Sequence, residues 1–188
     1  MKVLSLEPTH SSPTAVFWVY SFITLEYPDV CRYEKIADNV LIAASGEYAD
    51  FQEISRKLKD LSKQSDIYDD GVKFSAKEYA NYLASICYEK RNKFNPYYNT
   101  TVIAGFEKNE SILASVDLYG NYIKKDYLVT GFAKHFGLSL IANDWNPNCS
   151  VEEAKNVIRR CFEVIYMRDC HSLDQIQLAT VTKDGAKI

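Results

Sequence analysis

Leu41-Ile42-Ala43-Ala44-Ser45-Gly46-Glu47-Tyr48-Ala49-Asp50-Phe51-Gln52 is the stretch whose reading decides the fold of this 188-residue chain. An apolar run ends in small residues and opens directly into a helical pattern. A sharp strand-to-helix turn with close packing asks for small side chains, above all glycine. The helix that follows carries Phe51, Ile54, Leu58 and Leu61 on one face and Arg56, Lys57, Lys59 and Asp60 on the other. That pattern is an amphipathic helix lying on a sheet.

Working outward, the spacing predicts a strand over Val40 to Ala44 and a helix from about Tyr48 to Lys63. Ser65 to Gly71 reads as a polar loop. Its acidic cluster lacks the fixed spacing of a calcium loop and is taken as solvated. Ser75-Ala76-Lys77-Glu78 is a capping box, so a second helix starts there. Its inner face carries Tyr79, Ala80, Leu83, Ile86 and Cys87, and it ends near Asn92, before Pro96. Thr101 to Phe106 and Ser111 to Asp117, joined by the polar turn Glu107 to Glu110, read as a β-hairpin. Ile112, Ala114, Val116 and Leu118 share one face of its second strand. The Tyr119-Gly120-Asn121-Tyr122 turn leads to a short third strand. A third helix is expected over Gly131 to Leu140. A second capping box, Ser150-Val151-Glu152-Glu153, opens a fourth, with Val151, Ala154, Ile158, Cys161 and Ile165 at helical spacing. Gln175 to Thr182, an Asp184-Gly185 turn and Ala186 to Ile188 close the chain. Helices in pairs between antiparallel runs predict an α+β protein of four layers, two packed sheets with helices outside.

The totals are those of one domain with a real core. The net charge is −3, with no Lys/Arg-rich run, which argues against a nucleic-acid partner. Five cysteines are an odd number at wide spacings, without a CxxC, and read as reduced thiols of a cytosolic or nuclear protein. Fourteen Tyr and nine Phe suit a large core, wide contact surfaces, or both. Ala15 to Leu25 is apolar but shorter than the about 20 residues that span a bilayer. Lys2 alone, Glu7 and the lack of a small-x-small site make it a poor signal peptide. Its aromatic and β-branched content fits a buried strand, or a segment outside the native fold.

Gly46-Glu47-Tyr48-Ala49-Asp50-Phe51-Gln52 resembles the start of the first helix in proteasome β subunits. Arg91-Asn92-Lys93-Phe94-Asn95-Pro96-Tyr97-Tyr98-Asn99-Thr100, followed by Val102-Ile103-Ala104-Gly105, is similar to the seventh position of the eukaryotic β ring, the β type-4 group. Asp117-Leu118-Tyr119-Gly120, Leu128-Val129-Thr130-Gly131, Tyr166 to Ser172 and Gln177 to Thr182 follow in the family's order. The resemblance covers residues 33–188, a β-type domain, and leaves 1–32 as an unmatched segment. It implies the N-terminal-nucleophile hydrolase fold, a four-layer αββα sandwich, here expected to lack its usual first strands. It also implies a structural, non-catalytic β subunit of the 20S core that serves ring assembly for ubiquitin-dependent protein degradation. The implied partners are other α and β subunits in stacked seven-membered rings, with no nucleic acid, membrane or cofactor, in cytoplasm and nucleus. Members at the seventh position run on past the last strands toward the opposite ring, whereas this sequence stops at Ile188.

Active members use an N-terminal threonine whose hydroxyl attacks and whose own amine is the base. That amine is released by self-cleavage at a Gly-Thr junction. None of the seven glycines here is followed by Thr, Ser or Cys, and Lys2 is too bulky to favour removal of Met1. Asp169 and Ser172 match the Asp-x-x-Ser pair that lies beside the threonine in active members. Without a nucleophile they are vestigial, and read as hydrogen bonds pinning the end of the fourth helix to the next loop. Phe132 departs from the Ser that commonly follows Thr-Gly. No catalytic residue and no metal ligand is therefore expected. One alternative is an active threonine-type hydrolase whose true N-terminus lies outside this sequence. Another is a truncated product with exposed sheet edges. Cys170 and His171 with Asp174 make a poor thiol site, since sequence neighbours seldom face each other. His135, His171 and Cys170 lack metal-ligand spacing, His10 carries no signal, and no phosphate loop is present. Asn95, Pro96, Tyr97 and Tyr98 are expected as subunit contacts, the alternative being a plain surface loop.

Overall fold

Two strongly apolar strands, β4 (Val40–Gly46) and β5 (Asn99–Glu107), form the centre of the molecule. In the computed structural model the described residues are 2–6, 15–20, 31–68, 71, 73–107, 110–146, 149–168, 177–182 and 185–187. β4 and β5 pair antiparallel, with Ile42 opposite Ile103 and Gly46 opposite Asn99. β3 (Tyr33–Ala37) flanks β4, while β6 (Glu110–Val116) and β7 (Tyr122–Lys124) extend the sheet beyond β5. The second sheet has the order β10-β9-β2-β1-β8. Its strands are β1 (Lys2–Leu6), β2 (Ala15–Tyr20), β8 (Tyr127–Gly131), β9 (Gln177–Thr182) and β10 (Gly185–Lys187).

Period-two alternation sorts the β4 side chains into two different cores. Val40, Ile42 and Ala44 pack under α1 (Tyr48–Tyr68) and α2 (Ala76–Asn92), with Phe51, Ile54, Leu58, Tyr79 and Leu83. Leu41 and Ala43 point the other way and meet Leu128, Ala179 and Val181 of the second sheet. A third core joins Val129 to α3 (Gly137–Asp144) and α4 (Val151–Arg168) through Ile141, Ala154, Ile158, Cys161 and Ile165. The layers therefore run helices, sheet, sheet, helices, which is the αββα sandwich expected from the sequence.

Both capping boxes form. The Ser75 hydroxyl accepts from the Glu78 N–H at 3.2 Å, and the Glu78 carboxylate accepts from the Ser75 N–H at 2.7 Å. Ser150 and Glu153 repeat this at 3.3 and 2.7 Å, and those bonds hold the Glu153 carboxyl below its ordinary pKa.

Three expectations are corrected, and two strands are added. The sheet was expected to lack its first strands, but the front segment supplies two. β1 lies between β8 and β2, with Lys2 opposite Gly131, and β2 lies between β1 and β9, with Trp18 opposite Leu178. Backbone groups of β8 and β9 that would otherwise form open edges are thus paired. Helix α1 runs to Tyr68, past the expected stop at Lys63, because neither Gly nor Pro interrupts it before Gly71. The third helix is displaced: Gly131 (φ 64°, ψ −150°) is not helical, Phe132–His135 form a 3-10 turn, and α3 starts at Gly137. β3 and β8 were not anticipated, since half-polar Tyr33–Ala37 and the five residues of β8 are too short for a periodic signal.

Candidate functional site

The end of β4, the start of β5 and the end of β8 meet around an open cleft of about 360 Å³. Ser45, Gly46, Asn99, Thr100, Gly131 and Lys134 lie along it. The head of β1 reaches the same end of the sheet, since Lys2 is in register with Gly131.

The backbone here is tightly determined. Gly46 has φ +116°, and a Cβ on it would lie 2.0 Å from the Tyr98 carbonyl oxygen. The Gly46 carbonyl accepts from Arg32 Nη1 at 2.5 Å. Arg32 is buried, its guanidinium lies 5.3 Å from the centre of the Tyr48 ring, and burial pushes its pKa down. The Glu47 N–H donates to the Tyr98 carbonyl at 3.1 Å, and Asp50 accepts from the Tyr98 N–H at 2.9 Å. Helix α1 and the loop before β5 are thereby fastened to each other.

The Ser45 hydroxyl donates to the Thr100 carbonyl at 3.3 Å, so it faces an acceptor that cannot take its proton. The Asn99 amide and the Thr130 hydroxyl are buried without a hydrogen-bond partner among the described residues. Neither Arg32 nor Asn99 was singled out from sequence. A single Arg before a strand and an Asn after a Pro-Tyr-Tyr run look like solvated loop residues. Only the pairing of β4 with β5 encloses them.

Asp169 and Ser172 lie outside the described residues, as do Cys170, His171, Asp174 and His10. Phe132 opens the 3-10 turn directly after Gly131. The four expected contact residues divide. Asn95 and Tyr98 are exposed and Pro96 is half-buried. Tyr97 is only 5% exposed and packs in the α1/α2 core, with Lys57 and Lys90 Nζ 5.8 and 5.1 Å from its ring centre. As a contact residue Tyr97 is thus corrected: its ring is taken up by this chain's own core.

A second cleft, of about 370 Å³, lies beside α1 and includes Cys31, Tyr33 and Glu34. Glu34 accepts from the Ser55 hydroxyl and the Lys59 ammonium, which closes the polar side of that cleft. Among the described residues Cys31 is an exposed thiol, while Cys87, Cys149 and Cys161 are buried. Burial pushes the Cys87 thiol up to about 11 and that of Cys161 to about 12. No group of His, Cys, Asp and Glu among the described residues is arranged to hold a metal ion. No helix among them is long and apolar enough to cross a membrane.

The family described as "Proteasome subunit" matches residues 21–181. "Proteasome subunit beta type-4" of Dictyostelium discoideum is 40% identical over 159 residues, covering 84% of this chain and 61% of the relative. The protein of the same description from Arabidopsis thaliana is 34% identical, covering 88% of this chain and 67% of the relative. "Proteasome subunit beta type-7" of Saccharomyces cerevisiae is 31% identical, covering 85% and 64%. The chain therefore spans about two thirds or less of these curated relatives.

Proposed function

We propose, from the premise that this chain belongs to the proteasome subunit family, that it is a structural, non-catalytic β subunit of the 20S core particle. Its role is to occupy a position in the stacked seven-membered rings, packing against other α and β subunits, so that the particle can carry out ubiquitin-dependent protein degradation. The observation that carries this reading is the agreement with the family from residue 21 to residue 181, on a chain that folds as the sandwich.

The absence of catalysis rests on two features of the chain. No glycine precedes Thr, Ser or Cys, so no family-type processing junction occurs in this sequence. The Ser45 hydroxyl in the cleft is bonded to a carbonyl instead of a base. The same reading assigns the chain to cytoplasm and nucleus, where imaging of a tagged copy tests it.

Peptide mass spectrometry across size fractions of a native extract tests the proposal as a whole. Peptides spanning Glu47 to Arg56 are expected in the large-particle fraction together with other proteasome subunits. Recovery only in small fractions would overturn the structural-subunit reading.

A further inference from the structure

Phe94 is the most exposed large apolar residue among those described, at 97%, and the only non-glycine residue among them with positive φ, at 54°. Its position explains the angle. Helix α2 ends at Asn92, and Lys93 is its cap. The Phe94 N–H donates to the Arg91 carbonyl at 3.0 Å, and the Asn95 N–H donates to the Lys90 carbonyl at 3.1 Å. This bonding pair is a Schellman motif, in which the residue after the cap is left-handed and is usually Gly, sometimes Asn. A bulky side chain there is unfavourable by itself. The Phe94 ring offsets nothing inside the chain, because almost all of it faces solvent. The ring can contribute only to a contact outside the chain.

The surroundings describe what that contact must be. Lys90, Arg91 and Lys93 form a cationic collar at the end of α2, with Glu89 beside Lys93 at 2.5 Å. The Arg91 guanidinium lies 6.0 Å from the ring centres of both Tyr88 and Tyr119, which are half-exposed. The turn carrying Tyr119 is pressed on α2, since a Cβ on Gly120 would lie 3.0 Å from the Tyr88 Cβ. Tyr98 is exposed in the same loop as Phe94. An aromatic knob within a collar of cations and tyrosines is complementary in charge and shape to an apolar socket rimmed by carboxylates.

We propose that Phe94 is the anchor by which this chain docks on an adjacent subunit, entering an apolar socket with an acidic rim. This rests on the reading of the chain as a structural subunit and names the residue and surface that hold it there.

The test compares tagged full-length wild type, Phe94→Gly and the double variant Arg91→Glu/Lys93→Glu in the source cells. Two quantities are read: the fraction of each chain in the large particle, and the urea midpoint of the purified full chain. Glycine suits the left-handed position, so Phe94→Gly is expected to hold or raise the urea midpoint. Its particle-bound fraction is nevertheless expected to fall at least about five-fold, as removal of an interface anchor does. The charge-reversed chain is expected to fall similarly. Incorporation of Phe94→Gly at the wild-type fraction would overturn the inference while leaving the subunit reading intact. A fall that merely follows a lowered midpoint would overturn it too, as a folding effect. Wild type absent from the particle would overturn both.

Discussion

Gly46 and Phe94 both hold positive φ, and they do so for opposite reasons. At Gly46 the backbone leading into β5 leaves no room for a side chain: the Tyr98 carbonyl occupies the space a Cβ would take. At Phe94 the helix end imposes the angle, and the side chain stands in open solvent. The first junction is determined by what surrounds it inside the chain. The second tolerates a residue that the isolated fold does not use. A strained backbone angle therefore points inward when contacts crowd it and outward when they do not.

The sharpest way to break this comparison is Gly46→Ala. Strain at positive φ and the clash with Tyr98 each cost about 1–3 kcal/mol, so the full chain should lose about 2–6 kcal/mol in urea unfolding. An unchanged midpoint would mean the strand-to-helix turn is not crowded. Next is Tyr97→Ala, three residues from Phe94 but buried under α1 and α2. Removing a core aromatic ring costs about 4 kcal/mol, so this variant should lower the urea midpoint where Phe94→Gly impairs only assembly. Equal behaviour of the two would erase the division of this loop into an inner and an outer part.

Ser75→Ala is smaller. It removes the hydroxyl that caps α2 at the end opposite to Phe94, for about 1 kcal/mol. Thermal unfolding should register it, while the particle-bound fraction should hardly change. The smallest effect near neutral pH is that of the buried thiols. Their folded pKa values lie above the ordinary value of 9.0, at about 11 for Cys87 and about 12 for Cys161. A raised folded pKa contributes stability that is fully present below the unfolded pKa and is lost as pH rises through the folded one. The urea midpoint should therefore be unaffected by these groups from pH 7 to about 8.5, then decline through pH 9 to 12. Cys87→Ala should flatten part of that decline, and an unaltered slope would count against burial as the cause.

Legibility differed from region to region for physical reasons. Both capping boxes could be read directly because each is a local bonding pattern with a fixed spacing, Ser75 with Glu78 and Ser150 with Glu153. The β5–β6 hairpin was equally plain, since two apolar runs flank one polar turn. Ala15–Tyr20 was legible as a strand by composition, but not as a member of this fold. Its pairing with Gln177–Thr182 lies more than 150 residues away in sequence and leaves no local trace. The site fared worse. The cleft draws Ser45, Asn99 and Gly131 from three separate strands, and no spacing connects them. The expected contact set Asn95, Pro96, Tyr97 and Tyr98 includes one ring that is buried, because adjacent tyrosines in a loop carry no period that tells inside from outside.

By itself the sequence determined the α+β class, the two capped helices, the β4-to-α1 junction at Gly46, the family and the absence of a Gly-Thr junction. All of these are local patterns or literal motifs. Only the tertiary structure decided which core receives Leu41 and which receives Ile42, that the front segment completes the second sheet, and that Phe94 faces outward while Tyr97 faces inward. Alternation tells which residues share a face of a strand. What lies against that face is determined by chain segments far away in sequence, through packing that no local pattern encodes.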